Sequence, residues 1–222
     1  MKQILVFILL IIAFPSYAQK QRGYWDYKNG EQVTIDGVTY IIEFKHDKTI
    51  LEMLDSYLVS IRRIDEPEEQ YDKFGEYPDG TFGDDPEECA GIIRRRQEIP
   101  LIIHSAWKKA FPKEERESHP EVLIWAFPIL DLQGKIVALS FLAPVSREYA
   151  VQPEQIAILD RELRATLQFE INEERAKKFV RIPGQIIIPF KVLAKLPDAT
   201  FKPNAEPMLY PEQSIGGNKT QP

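Results

Sequence analysis

The alternation of apolar and polar positions marks two folded stretches between ends of a different character. In the first, Glu31 to Ile35 and Val38 to Phe44 are rich in β-branched and aromatic residues, with Asp36-Gly37 between them. Two residues that tolerate positive φ, set between strand-like runs, predict a β-hairpin with a two-residue turn. Ile50, Met53, Leu54, Tyr57, Leu58 and Ile61 then recur at spacings of 3, 4, 7, 8 and 11, which favours one face of an amphipathic helix. The branched and aromatic residues from Tyr57 to Ile61 leave a strand as the alternative.

The second stretch is more strongly punctuated. Pro100 to Phe111 predicts a helix, with proline in the first turn and Ile103, Ala106, Trp107, Ala110 and Phe111 on one face. From Val122 to Phe127 both alternating sets are apolar, so this strand should be covered on both sides. Pro128 removes a ladder donor and implies an edge or a bulge. Asp131-Leu132-Gln133-Gly134 predicts a turn, and Lys135 to Ala143 returns as a strand. Pro153 then opens a helix burying Ile156, Leu159, Leu163, Ala165 and Leu167, with Glu154, Asp160, Arg161, Glu162 and Arg164 toward solvent. Gly184 to Ile188 is the last strand, and Pro189 pushes it toward an edge or a bulge. The fold class is therefore α+β: a small antiparallel sheet packed by helices. It comprises a hairpin-containing N-terminal lobe over 19–97 and an α+β lobe over 98–196.

The two ends differ from this pattern. Residues 1–18 carry Lys2, an apolar run from Ile4 to Phe14 and the triplet Ser16-Tyr17-Ala18, the three-part pattern of a secretory signal peptide. Eleven apolar residues are too few for a span that needs about 20, so a soluble periplasmic or secreted protein is expected. Removing this segment takes one lysine, and the net charge of −6 for the whole chain becomes −7. That acidic balance disfavours nucleic acid as a partner. Residues 197–222 hold five prolines without apolar periodicity, an extended and disordered tail by composition.

Chemistry-bearing residues are sparse. Cys89 is the single cysteine, so no internal disulfide can form, and the neighbouring Asp85, Glu87 and Glu88 oppose a reactive thiolate. A sheltered structural thiol is the favoured role, with an intermolecular disulfide or a nucleophile as alternatives. His46, His104 and His119 lack the spacing of a zinc site. The segment 65–88 holds eleven acids and one base, Lys73. It reads as a long surface loop, with Asp79, Asp84 and Asp85 as calcium candidates although their spacing does not match an EF-hand. No P-loop, dinucleotide fingerprint, G-x-S-x-G or H-E-x-x-H occurs, so neither a cofactor nor a catalytic set is assigned.

Taken together, the strand around Ile124, the turn with Asp131, Gly134 and Lys135, the helix around Leu159 and Leu163, and Ile188-Pro189-Phe190 resemble the C-terminal domain of TonB-type proteins over about 120–192. The resemblance implies the fold of this third of the chain and partner binding through sheet edges. The expectation is a non-enzymatic binding or interaction module of the cell envelope, with a protein, peptide or glycan partner. Trp125, Pro128, Pro189 and Phe190 are its candidate binding surface. The alternatives are a hydrolase pairing Asp131 with a carboxylate of the 65–88 loop, and a calcium-stabilised structural protein.

Overall fold

A computed structural model describes residues 28–45, 57–67, 75–83, 91–94, 98–145 and 149–196. The expectations for 1–18, His46, Asp84, Asp85, Cys89 and 197–222 lie outside them. The fold is α+β. Its main sheet is antiparallel throughout and has seven strands: β1 (Glu31–Ile35), β2 (Val38–Lys45), β3 (Tyr57–Arg63), β5 (Leu123–Leu130), β6 (Ile136–Val145), β8 (Ile182–Pro183) and β9 (Ile186–Pro189). Their order is β1-β2-β3-β6-β5, and the far side of β5 is shared by β8 and β9. A two-stranded ladder joins β4 (Ile93–Arg94) to β7 (Glu170–Ile171). The β3–β6 ladder, from Tyr57↔Val145 to Arg62↔Ser140, places strands of both expected lobes in one sheet.

Helices α1 (Ile99–Ala110) and α3 (Pro153–Thr166) pack together beside this sheet. The shorter helices are α2 (Lys113–Ser118), α4 (Glu173–Ala176) and α5 (Phe190–Leu193). Cross-strand register gathers Ile42, Ile61, Phe141, Ala126 and Ile186 into one row, and Val59, Ala143, Ile124 and Ile188 into the next. All are buried. Trp107 and Phe111 close this core from α1, their rings 5.3 and 4.7 Å from that of Phe190.

The β1–β2 hairpin forms as its turn chemistry demands. Asp36 and Gly37 adopt φ of 51° and 81°, the paired positive values of a type I′ turn. In the next segment the helix is overturned where it can be seen, because residues 57–63 form β3. Helical spacing loses here to long-range pairing. Both edges of β3 are taken by ladders, and Leu58, Val59, Ser60 and Ile61 are all buried, a two-sided burial that a one-faced helix would not reach.

The Asp131 turn is locked by tertiary contact. Asp131 Oδ1 accepts the Gln133 and Lys135 N–H groups at 2.9 Å each, and the Phe169 N–H donates to the Gly134 carbonyl at 2.9 Å. A Cβ on Gly134 would lie 1.9 Å from the Phe169 carbonyl oxygen, at a φ of +75°. Gly134→Ala should therefore cost more than the ~1 kcal/mol typical of a positive-φ glycine. Denaturant unfolding of the variant measures this.

Candidate functional site

A buried charge network lies where α3 crosses the end of β3. Tyr40 on β2 and Arg63 on β3 are cross-strand neighbours on the helix side of the sheet. Asp160 and Arg164 stand one turn apart on α3, and Asp160 is fully buried. Every donor around it is used: the Asp160 carboxylate accepts from Tyr40 Oη at 3.0 Å, from Arg63 Nε and Nη2 at 2.9 and 2.7 Å, and from Arg164 Nε at 2.6 Å. A carboxylate of this kind is tolerated inside a protein because its lone pairs are matched by charged donors.

Glu66 completes the network. β3 ends at Arg63, opposite Leu139 in the β6 register, and the Arg63 carbonyl accepts the Glu66 N–H at 3.2 Å instead, so β3 offers Leu139 no backbone acceptor. Glu66 Oε2 takes its place, accepting the Leu139 N–H at 2.8 Å and Arg164 Nη2 at 2.6 Å. Oε1 makes only a 3.8 Å ion-pair contact with Arg63 Nε. Burial pushes the Glu66 carboxyl above the usual glutamate range, against the pull of the Leu139 N–H and of Arg164.

Tyr40 is shifted the same way. Burial comes first, then the Asp160 charge and hydrogen bond, and together they hold the phenol protonated well above the ordinary tyrosine range. A phenol whose folded pKa is raised contributes stability that is complete below its unfolded pKa and is lost as pH rises through the folded one. Tyr40→Phe should cost about 1–2 kcal/mol at neutral pH and flatten the alkaline fall in stability. Unfolding free energies measured from pH 7 into the alkaline range check both.

Beside Glu66 is a recess of about 200 Å³, lined by Asp65, Glu66, Pro67, Ile129, Val137 and Arg181 among others. Its walls are apolar and its rim carries both signs of charge. Arg181 is half-exposed, with Nη1 3.4 Å from Glu76 Oε2. A wider hollow of about 490 Å³ near Gln133 and Phe169 is more open and contains none of the network's charges.

The structure scatters the residues singled out by sequence. Trp125 is half-buried, between Leu142 and Ile187 in the ladder. Pro128 lies on an interior strand, not an edge. The Gly184 N–H donates to its carbonyl at 2.8 Å, so the missing Pro128 donor faces the side of β5 where β8 gives way to β9. A register shift follows between Ile129 and Leu130. Pro189 ends the outer strand β9. Phe190 is fully buried against Trp107 and Phe111, so it belongs to the core and offers nothing to a partner. Asp131 serves its own turn, and Asp79 Oδ1 accepts from the Thr81 N–H and hydroxyl at 3.0 and 2.6 Å. Among the described residues no group of three or more potential ligands gathers to hold a metal ion.

The network itself went unread in the sequence. Asp160 and Arg164 were expected to face solvent, yet Asp160 is fully buried and the Arg164 side chain is only 16% exposed. The signal was present: Ile156, Leu159, Asp160 and Leu163 form one i, i+3, i+4, i+7 stripe. An acid inside such a stripe requires buried donors.

A solved structure of a DUF5043 family protein from Bacteroides uniformis superposes on this chain with a TM-score of 0.57 at 17% identity, covering 74% of this chain and 93% of that one. That likeness shows a shared fold. No family model matches the chain, and no curated protein does.

Proposed function

We propose that the chain is an exported envelope protein working as a non-enzymatic binding module, with the recess beside Glu66 as its point of ligand contact. The observation that carries this reading is the recess itself. Glu66 and Asp65 supply acceptors and Arg181 a donor, around walls formed by Pro67, Ile129 and Val137. Asp131, which the hydrolase alternative pairs with the 65–88 loop, is held in its own turn by two hydrogen bonds, and Asp160 is committed to four. Export is supported by the charged, apolar and small-residue pattern of 1–18, and partner binding by the resemblance of 120–192 to TonB-type domains.

Strand addition at the β9 edge is the less favoured mode. The Phe190 N–H points inward to the Val122 carbonyl at 3.0 Å, so by alternation Pro189 faces outward and presents no donor. A four-residue strand ending in proline is a blunted edge.

A photo-reactive side chain at Val137, the exposed wall of the recess, tests the site in the full chain expressed in cells. A discrete adduct is expected from position 137, lost on Arg181→Met. None is expected from Val192, an exposed position on α5. Equal labelling from both positions, or none from 137, contradicts the proposal.

A further inference from the structure

We infer that the recess takes a single hydroxylated ring, one sugar unit of an envelope glycan; this deepens the binding reading above and rests on it. Size is the first argument. Pockets for drug-sized ligands run to about 300–1,000 Å³, whereas this one holds about 200 Å³, the scale of one ring.

Charge is the second. Asp65, Glu66 and Arg181 line the recess, with Glu76 on Arg181 and with Arg63, Arg164 and Asp160 behind Glu66. An anion approaching Arg181 meets the Asp65 and Glu66 carboxylates, and an ammonium approaching those carboxylates meets Arg181. A neutral polyol satisfies both signs, because each hydroxyl donates to a carboxylate and accepts from a guanidinium. Glu66 Oε1 accepts no hydrogen bond from the described residues, standing 3.8 Å from Arg63 Nε, and has lone pairs to receive one hydroxyl. Arg181 engages Glu76 through Nη1 alone and keeps its other donors.

The walls are the third argument. Pro67, Ile129 and Val137 offer C–H surface to the ring face, and the half-exposed Val137 keeps the mouth open at 44% exposure. A ligand of about a dozen heavy atoms in such a site binds with a Kd on the order of 1 mM.

Amide NMR spectra of the full chain, titrated separately with glucose, galactose, mannose and N-acetylglucosamine, test this. At least one sugar should move the Ala138 and Leu139 amides saturably. Arg181→Met and Asp65→Asn, both at exposed side chains, should each weaken that binding about tenfold while leaving the remaining amides in place. Lysine tripeptide and inorganic phosphate are the comparison arms. If either moves these amides and no sugar does, the sugar assignment falls and the binding site stands. If no probe moves them, both fall.

Discussion

Asp160→Ala should destabilise the protein by about 3–5 kcal/mol, the cost of removing one partner from a buried ion pair. The removed carboxylate is fully buried and satisfies Tyr40, Arg63 and Arg164 together. Without it the two guanidiniums, whose side chains are 26% and 16% exposed, face each other with Glu66 as their one remaining counter-charge in the network. Asp160→Asn should cost less, because an amide oxygen still accepts while its NH2 group must face a donor. Because the charges are coupled, the effects should not add: Asp160→Ala combined with Arg63→Met should fall well short of the sum of the two single costs. Equilibrium denaturation of the set measures this, and a loss below about 1 kcal/mol for Asp160→Ala would remove the network from the account of stability.

Glu66 should separate the role of its oxygen from the role of its charge. Glu66→Ala leaves the Leu139 N–H and Arg164 Nη2 without their acceptor and should cost about 2–4 kcal/mol. Glu66→Gln keeps an acceptor where Oε2 stands, so it should cost much less. The pH dependence has a defined sign. The folded pKa of Glu66 is raised by burial, so the folded state holds this proton more tightly than the unfolded chain. Its contribution is complete below the ordinary glutamate range and is lost as pH rises through the raised value. The stability of the wild type relative to Glu66→Gln should therefore decline with rising pH across that window. A gap that widens with pH would show that Arg164 and the Leu139 N–H outweigh burial.

Much of the scaffold was legible because local chemistry and tertiary structure agree there. Asp36-Gly37, the Asp131–Gly134 turn and the proline-led helices stand where turn and capping rules put them. The failures occurred where a distant partner decides. At β3 an accidental helical spacing outweighed the strand alternative over Tyr57 to Ile61, since the ladders that decide it run to β2 and β6. Pro128 read as an edge or a bulge; the register does shift after it, but the strand is interior, because nothing local reveals that the strand beyond it changes from β9 to β8. Phe190 looked available because the turn into α5 that swings it against Trp107 follows the strand directly. Glu66 was one of eleven acids in a polar run, distinguished only by β3 ending opposite Leu139. Asp160 alone could have been found, from its place inside an apolar stripe.

Labour is divided within the molecule: the network around Asp160 holds the fold, and the recess beside Glu66 meets the ligand. Arg181→Met, assayed in one preparation for melting temperature and for cross-linking from position 137, tests this division most directly. Arg181 is half-exposed and lies on the recess, and its one ion pair, to Glu76, is at the surface. An unchanged melting temperature and a lost adduct are expected. A lowered melting temperature with the adduct retained would contradict the division.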